Sequence, residues 1–188
     1  MSKVIWKLRE DHRNMARLLS LVGREINALR EGEVPDYYLV ESILDYLMNF
    51  PDLSHHPIED MVYAKLKERD ADAADALGNL SDEHQNLDTL IKRFSAALKN
   101  VLADETLPRD WFAGIASDYQ ETLLRHMQME EVLFFPPAMR ALTADDWKEI
   151  EDRMTEGKDP LFGGETDRKY KALHKEITEW SRLFDEAS

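Results

Sequence analysis

Apolar residues recur at the spacing of an α-helix along almost all of the 188-residue chain. Residues three and four positions apart share one face of a helix, so each such line of apolar side chains predicts a buried helical face. The lines predict four long helices, at about residues 3–30, 36–66, 73–102 and 109–137. Long helices with short connections are typical of an up-down-up-down bundle. We therefore predict an all-α fold, in which residues 1–141 form an antiparallel four-helix bundle.

The last part of the chain, residues 142–188, is predicted to be a helical extension packed on the bundle, because it is too short for a core of its own. Thr143 is a candidate N-cap for a short helix, with Asp146 at its third helical position. A final amphipathic helix is predicted over residues 166–184. Its apolar side chains either cover the bundle or form the face of a homodimer; they include Leu173, Trp180 and Phe184.

Composition excludes several classes of function. The chain has 24 Lys and Arg against 38 Asp and Glu, a formal charge of −14. That charge argues against nucleic acid and against an anionic membrane surface as partners. The absence of Cys excludes thiolate ligands and disulfides. The N-terminus lacks the apolar core of a secretory signal, and no segment approaches the length of a spanning helix, so a cytoplasmic protein is expected.

Histidines lie where a helical bundle would turn them inward. His12, His84 and His126 fall on the apolar lines of the first, third and fourth predicted helices. His55 and His56 stand at a break in the second helix, between Pro51 and Pro57. Each helix therefore offers at least one imidazole to the interior. The sixth histidine, His174, is in the extension, and we expect it to be exposed or to cap a helix.

Two glutamates strengthen this pattern, since Glu59 follows His55 by four residues and Glu130 follows His126 by four. Residues four apart share a helix face, and a buried carboxylate is costly unless it is paired or bound to a metal. Nitrogen and oxygen donors without thiolates suit iron, with manganese or zinc as alternatives. The sequence predicts a two-metal site built from seven residues: His12, His55, His56, Glu59, His84, His126 and Glu130.

The spacing excludes two other sites. No Glu stands three residues before a His, as ferritin-like dinuclear centres require. The His-Glu-x-x-His motif of zinc proteases is also absent.

Four segments make the chain resemble hemerythrin-like proteins of the HHE cation-binding domain family, bacterial type, over roughly residues 1–140. They are Asp11-His12-Arg13-Asn14-Met15, His55-His56-Pro57-Ile58-Glu59-Asp60, Asp82-Glu83-His84, and His126-Met-Gln-Met-Glu130-Glu131. The resemblance implies a diiron-oxo centre inside an antiparallel bundle. It also implies that the seven residues named above are the ligands, with Glu59 and Glu130 bridging the two irons.

The chain departs from the oxygen-carrying members of that family on its third helix. Those proteins carry two ligand histidines there, one turn apart, whereas here Leu80 precedes His84 by four residues and Asp88 follows it by four. His56 would then supply the fifth imidazole. Adjacent residues on a regular helix point about 100° apart, so His55 and His56 can both be ligands only if the helix is distorted, which Pro57 makes plausible.

The identity of the carboxylate ligands is open as well. Glu131 is a rival to Glu130, because the family's carboxylate stands five residues after the fourth-helix histidine. Asp60 is a rival to Glu59, since it has the same spacing from His56.

The resemblance implies a protein that binds O₂, NO or peroxide at this centre, for sensing, storage or stress response. An oxidoreductase that consumes peroxide, O₂ or NO is the alternative, and a plain iron- or cation-handling protein is a third; enzymatic activity stays open, with binding favoured. Apolar side chains expected to line the ligand pocket are Met15, Leu19, Leu123 and Met127. Proton donors are suggested only by helical proximity, at Tyr46, Tyr63 and Tyr119.

Overall fold

The structure, a computed structural model, describes residues 2–103, 107–154 and 159–185; within them, the side chains of Asp52 and of residues 181–185 are not described. These ranges contain helices and no strand, which confirms the all-α prediction. The α-helices are α1 (Lys3–Glu31), α2 (Tyr37–Phe50), α3 (His56–Arg69), α4 (Ala71–Ala76), α5 (Leu80–Leu102), α6 (Arg109–Met129), α7 (Phe135–Ala141), α8 (Ala144–Arg153) and α9 (Lys171–Asp185). No described helix has the length and apolar character needed to cross a membrane.

Helix ends follow local sequence signals. The Ser2 hydroxyl accepts a hydrogen bond from the Val4 amide and begins α1, and Gly32 ends that helix at φ +88°, a conformation that favours glycine. The Asp36 carboxylate caps α2 through the Leu39 amide. At the start of α8, Thr143 and Asp146 form a capping box.

The bundle consists of four helices that contact one another in a ring: α1 contacts α2, α2 contacts α5, α5 contacts α6, and α6 contacts α1. This is the contact pattern expected of the predicted bundle. The second long element does not stop at its prolines, because a π-helical turn over Pro51–His55 joins α2 to α3. A second π-helical turn, Glu130–Phe134, joins α6 to α7.

Two predicted helices differ in the structure. The helix expected over residues 73–102 is divided into α4 and α5 by a break at Gly78, whose φ is +76°. The fourth was expected to end near Pro136 and Pro137, but these residues lie in the first turn of α7. Proline is tolerated there, since the first turn of a helix leaves its amides without intrahelical acceptors.

The bundle interior consists of two apolar cores separated by a polar layer. One core lies toward the end where α1 finishes and includes Met15, Leu87 and Met127. The other includes Leu8 and Phe134. Polar residues lie between the two cores along the helices and form the layer. Most of the predicted metal ligands are among them.

The extension contacts the bundle along α1 and α2. Leu161, Leu173 and Ile177 belong to the first core, and the Tyr46 hydroxyl donates to Asp159 Oδ2 at 3.0 Å. Phe184, which we named as a candidate packing residue, lies outside the described side chains. The domain boundary at residue 141 stays a prediction.

Candidate metal centre

Six of the seven predicted ligands meet in the polar layer. His12 comes from the middle of α1, and His84 from the first turns of α5. The π-helical turns and the helix ends beside them supply the other four: His55, Glu59, His126 and Glu130. The Glu59 and Glu130 side chains are completely buried, and the exposed fraction of the four imidazoles does not exceed 12%.

The donor atoms divide into two overlapping groups. One contains His12 and His55 and the other His84 and His126, and both contain Glu59 and Glu130. Within each group all donor atoms lie within 4.8 Å of one another. The two carboxylates are therefore common to both groups.

Each shared carboxylate divides its two oxygens between the groups. Glu59 Oε1 lies 3.0 Å from Nε2 of His55, while its Oε2 lies 3.4 Å from Nε2 of His84. Glu130 Oε2 lies 3.2 Å from Nε2 of His12, and its Oε1 lies 3.3 Å from Nε2 of His126. Each glutamate therefore presents one oxygen to either pair of imidazoles, and both oxygens are available to hold cations there.

The outer nitrogens of three imidazoles face further carboxylates. The Nδ1 atoms of His12, His55 and His126 lie 3.2, 3.3 and 2.7 Å from oxygens of Glu131, Asp11 and Glu83. An ionised carboxylate only accepts, so each of these contacts requires a proton on Nδ1; when the imidazole is neutral, its Nε2 lone pair is then free to bind a cation at the centre. A carboxylate behind a metal-bound histidine fixes the ring and its tautomer in the same way.

Cations in turn hold two of these outer carboxylates. The Lys7 ammonium lies 2.6 Å from Asp11 Oδ2, and the Arg9 guanidinium donates to Glu131 at 2.8 Å. The carboxylates that contact Nδ1 of His12 and of His55 are therefore each paired with a cationic side chain of α1.

The centre repeats itself along the chain. In each half, a carboxylate stands directly before one histidine and holds Nδ1 of the histidine on the following element. The first half provides Asp11, His12, His55 and Glu59; the second provides Glu83, His84, His126 and Glu130. The two halves therefore offer equivalent sets of donor atoms.

Unpartnered buried atoms also point to a cation. Both oxygens of Glu59, both oxygens of Glu130 and His84 Nε2 are buried and make no hydrogen bond with any described residue. Burying a charged carboxylate without a partner is strongly unfavourable. A cation among these oxygen and nitrogen donors would satisfy them together, so the residues fit a bound metal.

Without a metal, protons compensate the buried carboxylates. Burial opposes the charged form of His12, but the close carboxylates of Glu130, Glu131 and Glu59 outweigh it and raise its pKa to about 11. The same competition raises the pKa of His84 to about 10 and that of His55 to about 9. Burial likewise opposes the ionised Glu59, yet the imidazoles of His55, His12 and His84 hold the pKa of that carboxyl well below its usual range.

His56 belongs to neither group of four donors among the described residues. Its ring is half-buried and stacks on that of His84, with 3.9 Å between centroids. The distortion expected beside it is present, because the π-helical turn Pro51–His55 ends immediately before it. Its place next to a candidate ligand keeps open the prediction that it contributes the fifth imidazole.

The rival carboxylates lie elsewhere. Glu131 faces the outer nitrogen of His12 rather than the centre. Asp60 is exposed and belongs to neither group. His174, expected to be exposed or to cap a helix, is exposed.

Sequence reasoning missed the roles of Asp11 and Glu83. The available signal was their position, one residue before His12 and His84 respectively.

A cavity of about 30 Å³ adjoins the centre. Among the four apolar residues expected to line it, Met15, Leu123 and Met127 do so. Leu19 is buried in the first core and is not in the lining. The His55, His56, His84 and His126 rings and the Tyr119 side chain complete part of the wall. The wall is therefore mostly apolar and includes imidazoles of candidate ligands.

The hemerythrin HHE cation-binding domain model matches residues 3–138 and, in a second overlapping match, residues 76–182. The chain belongs to the hemerythrin HHE cation-binding domain family. The first match spans the bundle and all seven predicted ligands, and the second contains the repeated half with Glu83, His84, His126 and Glu130. No curated protein and no solved structure shows significant similarity to the chain. Family membership and the donor cluster together make this HHE protein a cation-binding helical protein.

Proposed function

We propose that this HHE protein holds two iron ions in the polar layer and binds O₂, or the related small molecules NO or peroxide, beside them, for sensing, storage or stress response. The observation that carries the proposal is the division of the Glu59 and Glu130 oxygens between two pairs of imidazoles. Manganese or zinc would satisfy the same donors less selectively.

Each residue of the cluster has a specific part in this proposal. His12 and His55 would hold one ion, His84 and His126 the other, and Glu59 and Glu130 would bridge them. His56, stacked on His84, is the candidate for a fifth imidazole. Asp11, Glu83 and Glu131 would keep the rings oriented and their Nδ1 atoms protonated.

Ferrous ions in this site would supply electrons and a coordination position for a small molecule. The protein contributes the surroundings: Met15, Leu123 and Met127 make an apolar wall that limits water beside the centre. A cavity of about 30 Å³ has room for a diatomic molecule or peroxide.

An oxidoreductase that consumes peroxide, O₂ or NO is the second candidate function, and Asp88 is the observation that favours it. Asp88 follows His84 by about one helical turn, and it lines the cavity. Its side chain is 42% exposed. A carboxylate that connects the cavity with solvent can transfer protons, which consumption of peroxide or O₂ requires.

Exposure of the reduced, iron-loaded protein to O₂ separates these functions. A binding protein develops an absorbance band that disappears when O₂ is removed, with no net O₂ consumption in the presence of a reductant. An oxidoreductase consumes O₂, peroxide or NO continuously, and Asp88→Asn slows it. Iron uptake with neither behaviour would contradict both candidates and leave cation handling. The cytoplasmic location and a homodimer remain predictions from the sequence.

A further inference from the structure

Tyr119 is a buried tyrosine on the wall of the metal-site cavity. It lies on α6, seven residues or about two helical turns before His126, so both side chains belong to one helix face. Only 3% of its surface is exposed. The same cavity is lined by His55, His84 and His126, so Tyr119 shares it with three candidate ligands.

The Tyr119 hydroxyl has no hydrogen-bond partner among the residues that the structure describes. Three other tyrosines differ: the Tyr46 hydroxyl donates to Asp159 at 3.0 Å, Tyr63 to the Gly78 carbonyl at 3.0 Å, and Tyr170 to Asp45 at 2.6 Å. The Tyr119 oxygen is also not one of the fully buried atoms that lack a partner, so the small exposure of this residue includes its hydroxyl. A phenol on a cavity wall that has no partner among the described residues can therefore donate to a molecule within the cavity.

The cavity has room for such a partner. A water molecule needs about 10–15 Å³ of cavity volume, and this cavity provides about 30 Å³. A diatomic molecule, a triatomic anion or a pair of waters would fit. Burial raises the pKa of the Tyr119 phenol, so the group stays neutral and keeps its proton for donation.

We propose that the Tyr119 phenol donates a hydrogen bond to the small molecule that occupies the cavity beside the metal centre, and so favours ligands with an accepting oxygen or nitrogen atom. The inference rests on the proposed function, because it requires a ligand at that centre. Tyr119 would then be a specificity-determining residue that retains polar or anionic ligands. Among the described lining residues, it contributes the one hydroxyl group.

The test is an azide titration of the ferric, iron-loaded protein, followed by absorbance, for wild type, Tyr119→Phe and Tyr63→Phe. Azide is a small anion that accepts hydrogen bonds. Loss of one hydrogen bond should weaken azide binding about three- to tenfold in Tyr119→Phe. Tyr63→Phe removes one phenol oxygen outside the cavity, and its azide affinity should stay within about twofold of wild type.

A second measurement on the metal-free proteins does not depend on bound iron. Because the Tyr119 hydroxyl has no partner among the described residues, its removal should leave the melting temperature unchanged or raise it. Tyr63→Phe should lower the melting temperature, since it loses the bond to Gly78.

Three results would overturn the inference. One is an azide affinity of Tyr119→Phe within twofold of wild type; another is equal weakening in both variants; the third is a lower melting temperature for metal-free Tyr119→Phe, which would indicate a structural hydrogen bond. In each case the wild type still binds iron and azide, so the proposed function stands. A wild type that binds neither iron nor azide would overturn the proposed function, and this inference with it.

Discussion

The Nε2 atoms of His12 and His55 lie 3.2 Å apart, while carboxylates hold the Nδ1 atoms of both rings from behind. Two lone pairs at this distance repel each other unless a proton or a cation lies with them. In the metal-free protein these Nε2 atoms can bind protons, and in the metal-loaded protein they can bind a metal ion instead. Protons and metal therefore compete for one set of atoms.

This competition predicts opposite responses to pH. The imidazoles of His12, His84 and His55 have raised pKa values of about 11, 10 and 9 without metal. Their pKa in an unfolded chain is about 6.5, so between pH 6.5 and 9 the folded state binds more protons and stability falls as pH rises. We expect the melting temperature of the metal-free protein to drop by about 5 °C or more between pH 6 and pH 9.

The metal-loaded protein is the control for that measurement. Bound metal replaces these protons, so its melting temperature should change little across the same range, and metal affinity should increase with pH. A metal-free protein whose stability is constant from pH 6 to pH 9 would contradict the proton–metal competition.

The adjacent glutamates Glu130 and Glu131 should behave differently when they are neutralised. Glu130→Gln removes the charge of a buried carboxylate shared by both donor groups, and we expect it to lose at least one metal per chain. Glu131→Gln weakens only the support behind His12, so two metals should bind with about 10- to 100-fold lower affinity. Metal titration with a competing chelator measures both, and the reverse order would contradict the assignment.

The outer carboxylate Glu83 provides a test of the repeated half of the centre. Glu83→Gln keeps the shape of the side chain but no longer offers an ionised acceptor 2.7 Å from His126 Nδ1. We expect full metal occupancy in excess metal and about 10- to 100-fold weaker affinity. Glu10→Gln is the matched control, because Glu10 pairs with the exposed Arg13. Equal affinities for both variants would show that Glu83 does not support the centre.

Tyr46 tests the packing of the C-terminal extension. Tyr46→Phe removes the hydrogen bond to Asp159, and we expect the protein to lose about 0.5–1.5 kcal/mol of unfolding free energy. Tyr38→Phe is the control, since Tyr38 is 72% exposed. Chemical denaturation measures the difference. An unchanged stability for Tyr46→Phe would indicate that this contact does not hold the extension in place.

The helical architecture and the inner donors could be predicted because both depend on local spacing. His12 stands on an apolar line, and Glu130 follows His126 by one helical turn, so a regular helix is enough to place them. Gly78, by contrast, breaks a predicted helix because the chain takes a left-handed conformation there. No apolar spacing signals that break.

The outer carboxylates and the π-helical turns could not be predicted in this way. Asp11 holds His55 across 44 positions of sequence, and that pairing depends on how two helices pack. Residues Pro51–His55 form a wider, π-helical turn within the helix. Tertiary contacts, rather than the preferences of individual residues, determine where such a turn forms.

Metal content per chain tests the central claim most directly. Elemental analysis after anaerobic iron loading should find two irons per chain in the wild type, and fewer than two in His84→Ala and in His126→Ala. One iron or none in the wild type, or two irons retained in both variants, would contradict a centre divided between two pairs of imidazoles and joined by Glu59 and Glu130.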